Sequence, residues 1–387
     1  MREERQALRY DYILFAIVVL LTLLGLVTLY SASYLFALNQ PWRFARGGAP
    51  LASNIVACAI MVVFFPALAL VRLDILKKGR FVFALVAFTV FINLLPFVPL
   101  FQRSGLEPGG ARRWILMGGL SFQPSEVIKL ALPLYLAYIL DKNSERLSHF
   151  LYGPLPPAVV TAIFGALVFF QGNYSEVALI ALVSFAICFV AGIRLRWFAG
   201  AAALLAPFAH ILVFGNPEGR LYQRIHSFRN PGTDVLGAGY QIEMSMEAVR
   251  AGGFWGRGIG QGSVKTAIPE VHGDFVFASY AEEFGLLGVF LHLALVGLFA
   301  GIVFYVVWRG RDRFAQILAF GLVTPIVMQT LLNVAVVANV VPTTGIALPF
   351  VSSGGSSLLM TLCASALLVN LARRHALSID KEGRNAG

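Results

Sequence analysis

Three carboxylates lie within a ten-residue window of the segment PEVHGDFVFASYAEEFG, at Asp274, Glu282 and Glu283. The segment leads into one of the most apolar stretches of the chain, and a carboxylate in or beside lipid is costly and usually functional. On a helix with about 100° per residue, Glu283 lies opposite Asp274 and Glu282 lies about 80° away from it. The three side chains are therefore not expected to form one cluster.

Asp274 shares its predicted helix face with small residues, Ala278, Ala281 and Gly285. Such a face leaves room for a substrate or for a neighbouring helix. An aspartate exposed at a helix start would be a purely structural alternative, but the apolar run 275–277 follows at once. Partial desolvation would raise the pKa of Asp274, as a general base requires.

The composition places the elements that carry these residues in a membrane. Of the 387 residues, 58% are hydrophobic and 13% charged, and the mean hydropathy is +0.76. Soluble domains carry about 25% charged residues. Cys58, Cys188 and Cys363 are few and lie in apolar segments, which indicates neither a disulfide framework nor a metal cluster. We therefore expect an all-α, polytopic integral membrane protein.

Stretches of about 20 mainly apolar residues, the length that crosses a bilayer, occur ten times along the chain. The first is predicted to be a retained span rather than a signal peptide, because its apolar run is too long and no small-residue cleavage site follows. The chain, 1–387, is interpreted as a single membrane domain. The predicted spans are 12–34, 50–71, 80–100, 124–140, 157–172, 175–193, 197–215, 275–308, 315–340 and 354–372.

Lys and Arg residues set the predicted orientation, since short cytoplasmic loops are enriched in them. Eighteen of the thirty lie in the terminal segments and in alternate loops, so both termini are predicted to be cytoplasmic. Six others belong to one long outer loop, 216–274, and long loops escape the rule. Arg112 and Arg113 lie in a shorter outer loop, where they are either simply tolerated or bind an anionic lipid head group.

Glu126 and Lys129 stand at the start of the fourth predicted span. Pro124 suits the first turn of a helix, and Glu126 then meets the positive end of the helix dipole. The spacing of three residues also allows Glu126 and Lys129 to pair, so mutual neutralisation and a functional role are both open. Lys129 lies a turn deeper, where the structural explanation is weaker.

The long outer loop predicts a short amphipathic helix over 241–249, followed by six glycines between 252 and 262. Glycines allow close backbone approach and positive φ angles, and apolar residues such as Trp255 interleave them. We expect an ordered loop resting on the bilayer rather than a flexible linker. The last outer segment, NVVPTTGIALPFVSSGGSSLL, cannot form a continuous lipid-facing helix, because unpaired backbone groups are prohibitive in hydrocarbon. It is predicted to line a hydrated cavity walled by protein.

Seven motifs, in this order along the chain, resemble those of the SEDS family (shape, elongation, division and sporulation proteins). One alone would be a weak signal, but together they extend over nearly the whole sequence. They are LVTLYSAS (26–33), GARRW (110–114), FQPSEVIKLAL (122–132), GYQIEMS (239–245), GGFWGRGIGQGSVK (252–265), PEVHGDFVFASYAEEFG (269–285) and PTTGIALPFVSSGGSS (342–357).

The resemblance implies a bacterial enzyme with ten spans that polymerises peptidoglycan glycan strands from lipid II at the outer face of the cytoplasmic membrane. It implies that Asp274 is the essential acid of the family motif HxDF. The family motifs also supply candidates for substrate binding. These candidates are Arg112, Arg113, Gln123, Ser125, Glu126, Lys129, Gln241, Lys265, Glu270, His272 and Ser356.

Three positions depart from the family pattern. Gly273 stands where Thr is frequent, and Ser353 where Tyr is common. The sequence QGNYSEVAL replaces the typical QPDLGTAL, so that Asn173 takes the place of an Asp. This last departure argues against a catalytic role for the loop between the fifth and sixth predicted spans.

Residue chemistry and resemblance together predict an inverting glycosyl transfer. Asp274 would remove the proton from a sugar hydroxyl, which attacks the anomeric carbon of a donor sugar on undecaprenyl pyrophosphate. A single displacement needs a base and stabilisation of the leaving group, but no protein nucleophile. Arg112, Arg113 and Lys265, with Arg257 as a weaker candidate, are predicted to bind the pyrophosphate, with or without a divalent cation (Mg or Mn).

Two other functions remain open at this stage. A transporter or lipid II flippase also has many spans and broken helices, although the sequence shows no inverted repeat and its polar groups gather near the outer face. A scaffold for a class B penicillin-binding transpeptidase is compatible with catalysis. Lipid II, such a transpeptidase and membrane lipids are the expected partners, and nucleic acid is not. A role in elongation or in division is left open.

Overall fold

The computed structural model describes residues 2–39, 50–99, 112–117, 120–216, 218–230, 238–264, 273 and 275–385. In these ranges the chain forms thirteen α-helices and one two-stranded antiparallel hairpin. The helices are α1 (Arg2–Asn39), α2 (Pro50–Leu70), α3 (Leu73–Leu76), α4 (Gly79–Leu94), α5 (Ser125–Lys142), α6 (Leu155–Phe170), α7 (Tyr174–Val190), α8 (Leu195–Phe214), α9 (Arg220–Arg229), α10 (Ala238–Gly252), α11 (Val276–Trp308), α12 (Arg313–Val337) and α13 (Gly355–Asn385).

Each of the ten predicted spans coincides with one of these helices. Within the described ranges, seven are long and apolar enough to cross a membrane: α1, α2, α4, α8, α11, α12 and α13. Helices α6 and α7 are apolar but have only 16 and 17 residues, and α5 carries charged residues at both ends. The all-α polytopic fold is confirmed, whereas the number of ten spans and their orientation stay predictions.

A short hairpin departs from the purely helical expectation. Strands β1 (Ile115–Met117) and β2 (Leu120–Phe122) pair antiparallel, with Ile115 opposite Phe122. This register brings the end of the motif GARRW beside the start of the motif FQPSEVIKLAL. Two motifs that the sequence separates therefore meet at the start of α5.

The buried centre of the bundle lies where α12 packs against α5 and α7. Gly321 of α12 lies so close to Pro133 of α5 that a Cβ atom on the glycine would be 2.9 Å from the Cβ atom of the proline. By contrast, α8 has no buried residue. Its exposed Leu204 and Ile211 suit a helix surrounded by lipid, which is as apolar as they are.

Helix α11 is interrupted at Gly285, whose backbone has φ 65° and ψ −170°. This conformation lies in a region that only glycine occupies readily. The interruption divides α11 into a short part, which begins at Val276, and a longer part that continues to Trp308. Because hydrogen bonds along the helix are lost at the break, other backbone groups must supply them.

Candidate active site

A buried ion cluster joins α5 to α7. The Nζ atom of Lys129 lies 2.9 Å from both carboxylate oxygens of Glu126 and 3.3 Å from Oε1 of Glu176. The three side chains are 11%, 4% and 3% exposed, respectively. The pairing of Glu126 with Lys129, one of the two interpretations of the sequence, is present in the structure. It leaves one carboxylate in excess of the single ammonium group.

Sequence reasoning missed Glu176. The stretch QGNYSEVAL loses an Asp at Asn173, which argued against a role for it, but the same stretch contains Glu176 three residues further on. In the structure, Asn173 directly precedes α7, and Glu176 lies in the first turn of that helix. An acidic residue beside the Asn was therefore the signal that could have identified a partner for Lys129.

The end of α4, the start of α5 and the end of α6 are tied together by two buried amide side chains. Gln171 donates a hydrogen bond from Nε2 to the backbone oxygen of Asn93 at 2.8 Å. Asn93 in turn donates from Nδ2 to the backbone oxygen of Pro124 at 3.2 Å. The N–H group of Arg112 donates to the backbone oxygen of Gln171 at 3.2 Å. These bonds fix the backbone at the entrance to the FQPSEVIKLAL motif.

The predicted substrate-binding residues of this motif lie together at the start of α5. Gln123 donates from Nε2 to the hydroxyl of Ser125 at 2.9 Å, one turn from the Lys129 cluster. Arg112 is exposed and Arg113 is half-buried. The Nε atom of Arg113 is enclosed and has no hydrogen-bond partner among the described residues. Arg113 thus has a donor left for a ligand.

Arg224 of α9 connects two further segments of the chain. Its Nη1 atom donates to the hydroxyl of Ser175 at 3.1 Å and to the backbone oxygen of Thr344 at 3.2 Å. Ser175 is the neighbour of Glu176 in the first turn of α7, and Thr344 belongs to the motif PTTGIALPFVSSGGSS. The sequence showed Arg224 only as one outer basic residue among several. Its role as a connector is visible only in three dimensions.

The segment between α12 and α13 has no regular structure and is held from several sides. Asn333 donates from Nδ2 to the backbone oxygen of Ile346 at 2.9 Å. Asn54 of α2 donates to the backbone oxygen of Ser352 at 3.1 Å and accepts from the N–H group of Gly354 at 3.2 Å. Ile346 is buried. Protein of α2 and α12 therefore surrounds this segment, as predicted, whereas the hydrated cavity stays a prediction.

Ser352 links this segment to the motif that contains Asp274. Its hydroxyl accepts from the N–H group of Leu348 at 2.7 Å and donates to the backbone oxygen of Gly273 at 3.1 Å. On the other side of Asp274, Phe275 is 3% exposed. Both chain neighbours of Asp274 are thus held by protein. Asp274 itself lies outside the described residues, as do Lys265, Glu270 and His272.

The glycine-rich segment 252–264, called the glycine loop below, wraps around the break in α11. The N–H groups of Ser263 and Val264 donate to Oε1 of Glu282 at 2.7 and 2.9 Å. The N–H group of Gly260 donates to Oε1 of Glu283 at 3.2 Å. Glu282 and Glu283 are both buried. The two carboxylates at the entrance to this span therefore bind backbone donors of one loop.

Backbone hydrogen bonds between the glycine loop and α11 replace those lost at the break. The N–H group of Leu286 donates to the backbone oxygen of Gly253 at 2.9 Å, and that of Leu287 to Phe254 at 3.1 Å. In the reverse direction, the N–H groups at positions 257 and 258 donate to the backbone oxygens of residues 282 and 283, both at 3.0 Å. The break is therefore satisfied within the protein, as membrane helices require.

The small-residue face below Asp274 accommodates this loop. A Cβ atom on Gly252 would collide with the backbone oxygen of Ala281, and one on Gly256 would collide with the backbone of Glu283 and Gly285. Of the two uses that the sequence allowed for this face, the structure shows a neighbouring protein segment at Ala281 and Gly285. Glycine is required at positions 252 and 256, because the backbone of the loop touches the backbone of α11 there.

The remaining predicted residues lie on neighbouring elements. Gln241 is half-buried on α10, the helix predicted from the long loop, which packs against α11. Ser356 lies at the start of α13, is 4% exposed, and its hydroxyl has no partner among the described residues.

No group of three or more His, Cys, Asp or Glu that could hold a metal occurs in the described part of the chain.

Comparison with known proteins gives consistent matches over most of the chain. The family model of FtsW, RodA and SpoVE cell cycle proteins matches residues 11–377. A probable peptidoglycan glycosyltransferase FtsW from Geobacter metallireducens is 35% identical over 376 residues, with 95% of each chain covered. A chain of a peptidoglycan synthase complex that coordinates polymerization and crosslinking has a TM-score of 0.72 and 27% identity, covering 94% of this chain and 97% of that one. The crystal structure of the rod shape determining protein RodA from Thermus thermophilus has a TM-score of 0.64 and 25% identity, covering 94% and 96%.

Proposed function

Because the chain belongs to the SEDS family, the cell cycle proteins that include FtsW, RodA and SpoVE, we propose that it polymerises lipid II into glycan strands. It acts as a peptidoglycan glycosyltransferase, as its relatives are named. The hydrogen bond from Ser352 to Gly273 carries the proposal for the site, because it joins two outer motifs beside Asp274. The reaction then takes place at the outer face of the bacterial cytoplasmic membrane.

In the proposed reaction, Asp274 is the general base. It takes the proton from a hydroxyl of the acceptor sugar, and the resulting oxygen attacks the anomeric carbon of the donor sugar. A new carbon–oxygen bond forms as the bond to the pyrophosphate oxygen breaks, and the electron pair leaves with undecaprenyl pyrophosphate. A single displacement inverts the anomeric carbon. The protein supplies a base, orientation and charge stabilisation.

The pyrophosphate is proposed to bind to Arg112, Arg113 and Lys265. The enclosed and unpartnered Nε atom of Arg113 supports this role, because a buried donor without an acceptor is unfavourable until a ligand arrives. Arg257 is the weaker candidate, since it already donates to Ser263 at 2.6 Å and lies 3.5 Å from Glu282. Among the other candidates for substrate contact, Ser356 has a free hydroxyl in the described structure.

Three buried carboxylates are already engaged and do not fit a divalent cation. Glu126 and Glu176 bind Lys129, and Glu282 binds backbone N–H groups. A Mg or Mn ion bound with the pyrophosphate would therefore take protein ligands from Glu270, His272 or Asp274. Chelation with EDTA during polymerisation of lipid II, followed by addition of either metal, tests this part of the proposal.

A class B penicillin-binding transpeptidase is the proposed partner. A similar structure belongs to a peptidoglycan synthase complex in which polymerization and crosslinking are coordinated. A glycan polymerase delivers strands that must then be crosslinked, so the two activities are used at the same place. Co-purification of the chain with class B transpeptidases from its own cell tests this partnership, and the transpeptidase found also assigns the chain to elongation or to division.

The deciding experiment uses purified protein in liposomes with fluorescent lipid II, with and without a class B transpeptidase. We expect a ladder of glycan products with the unaltered chain and none with Asp274→Ala. A flippase is the competing function. Transport of lipid II across the liposome bilayer without any glycan product, under conditions where both could be detected, would refute the polymerase.

A further inference from the structure

We propose that Glu282 is a positioning residue that anchors the C-terminal end of the glycine loop and thereby sets the position of Lys265. The proposal rests on the proposed function, in which Lys265 binds the pyrophosphate and Asp274 is the base. The sequence did not indicate that the glycine loop would donate hydrogen bonds to Glu282. The supporting observations are the contacts at the two ends of the segment 265–274.

The first end of this segment is held by Glu282. Its Oε1 atom accepts from two successive backbone N–H groups, at Ser263 and Val264, and the next residue is Lys265. The side chain of Glu282 is fully buried. Hydrogen bonds to a carboxylate are about twice as strong as those between neutral groups. The backbone that enters the segment is therefore fixed by one carboxylate.

The second end of the segment is held by Ser352. The backbone oxygen of Gly273 accepts a hydrogen bond from Ser352 at 3.1 Å, and Phe275 is buried just beyond Asp274. A loop with both ends fixed has fewer conformations than one anchored at a single end. Release of the first end would therefore free the backbone that leads into Lys265, while the contacts of Gly273 and Phe275 still hold the two neighbours of Asp274.

Two other roles for Glu282 have weaker support from the structure. A catalytic role would require contact with substrate, but the side chain is 0% exposed and the loop covers it. A role as the charge partner of Arg257 rests on a distance of 3.5 Å to a side chain that is 40% exposed. Water can partly screen this contact, because Arg257 is partly exposed. The two backbone hydrogen bonds, at 2.7 and 2.9 Å, are shorter than the contact with Arg257.

The test compares two substitutions at Glu282 in the lipid II polymerisation assay. Glu282→Gln keeps an oxygen that can accept from both N–H groups, whereas Glu282→Leu keeps the approximate size and removes the acceptor. We expect Glu282→Leu to lower kcat/KM by about 10- to 150-fold, the loss that corresponds to one charge-assisted hydrogen bond. Glu282→Gln should restore most of this loss. The matched control is Glu247→Leu, which removes an exposed acidic residue of α10 and should leave the rate unchanged.

A second pair of variants leaves α11 untouched, in case Glu282→Leu does not fold. Ser263→Pro removes the N–H group that donates to Glu282, because proline has none. Ser263 does not have a positive φ, the range that proline cannot adopt. Ser263→Ala retains this N–H group and removes only the hydroxyl. We expect Ser263→Pro to lower kcat/KM by about 10-fold or more. Ser263→Ala should change it by less than about threefold, because it removes a contact with the partly exposed side chain of Arg257.

A spin label at residue 267 separates positioning from general loss of structure. We expect the label to become more mobile in Glu282→Leu and Ser263→Pro, while Glu247→Leu and Ser263→Ala leave its spectrum unchanged. If Asp274→Ala is inactive but both Glu282→Leu and Ser263→Pro retain full rate and label mobility, the positioning role is wrong and the proposed function stands. Activity of Asp274→Ala would instead overturn the proposed function.

Discussion

The ammonium group of Lys129 lies 3.3 Å from Oε1 of Glu176, although the two residues belong to different helices, α5 and α7. Glu126 binds the same ammonium group from its own helix. The cluster is buried, so water contributes little to the stability of its charges. Loss of one member changes the charge balance of the other two, and the cost depends on which member is lost.

Removal of Lys129 should be the most damaging change within this cluster. Lys129→Met leaves two buried carboxylates facing one another, and the loss of one partner from a buried ion pair costs about 3–5 kcal/mol. Glu176→Gln leaves the pair of Lys129 with Glu126 in place and should cost less. Denaturant unfolding in detergent measures both. As a control, Glu247→Gln breaks an exposed pair with Arg250 and should cost at most about 1 kcal/mol.

The position of the second carboxylate can be tested by moving it back by one helical turn. Glu176→Thr should lower activity and stability, and the double variant Asn173→Asp with Glu176→Thr should recover part of both. Asn173 is buried at the start of α7, on the same side as Glu176 by spacing. A double variant no better than Glu176→Thr alone would show that only position 176 can supply Lys129 with its partner.

Asp274 is predicted to be indispensable for polymerisation. Asp274→Ala should abolish glycan synthesis while the protein still folds and binds its transpeptidase. Asp274→Asn should fail as well, because the amide keeps the shape of the side chain but cannot accept the proton. Product ladders from purified protein measure the activity. Synthesis at a rate near that of the unaltered chain would place the base elsewhere.

Arg112, Arg113 and Lys265 are predicted to stabilise the leaving group. Neutralising one of them should reduce the rate by about 10- to 150-fold, if its contact of roughly 1.5–3 kcal/mol is made fully only in the transition state. The reduction should persist when lipid II is supplied directly to the outer face, because the defect lies in glycosyl transfer and not in transport of lipid II. A variant that is normal under this condition but defective in moving lipid II across the bilayer would favour transport.

The predicted orientation places both termini in the cytoplasm. Single cysteines near positions 77, 145 and 311 should be shielded from an impermeant reagent added outside the cell, and cysteines near 110, 230 and 345 should react. The native Cys58, Cys188 and Cys363 are first replaced. Labelling of the first group in intact cells would invert the topology and move the proposed site to the other face.

Substitution of Gly285 should destabilise the protein strongly. Gly285→Ala adds a Cβ atom that collides with the backbone of Gly256, at a φ angle of 65° that alanine rarely adopts. The strain alone costs about 1–3 kcal/mol. Gly297 and Gly301 provide controls in the same helix, because no atom lies within 4 Å of an added Cβ. Alanine there should be neutral or slightly stabilising, since it favours a helix more than glycine does. Equal thermal stability of all three variants would contradict the close contact.

Much of this molecule is determined by local sequence. A bilayer demands long apolar helices, so hydropathy alone predicts ten spans, and each of them coincides with a helix of the structure. The resemblance of the motifs identified the family, and the spacing of Glu126 and Lys129 indicated their pairing, because neighbours three apart on a helix must face each other. The charge pattern likewise predicts an orientation without any knowledge of packing.

Contacts between distant segments were decided by the tertiary structure alone. Glu176 reaches Lys129 because α5 packs against α7, and Ser352 reaches Gly273 because a segment without regular structure folds back over the start of α11. A helical wheel places Glu282 and Glu283 about 100° apart, yet both bind the glycine loop because the loop wraps around the broken helix. Periodicity describes one element at a time, whereas these contacts depend on how several elements pack, and only the packed structure specifies that.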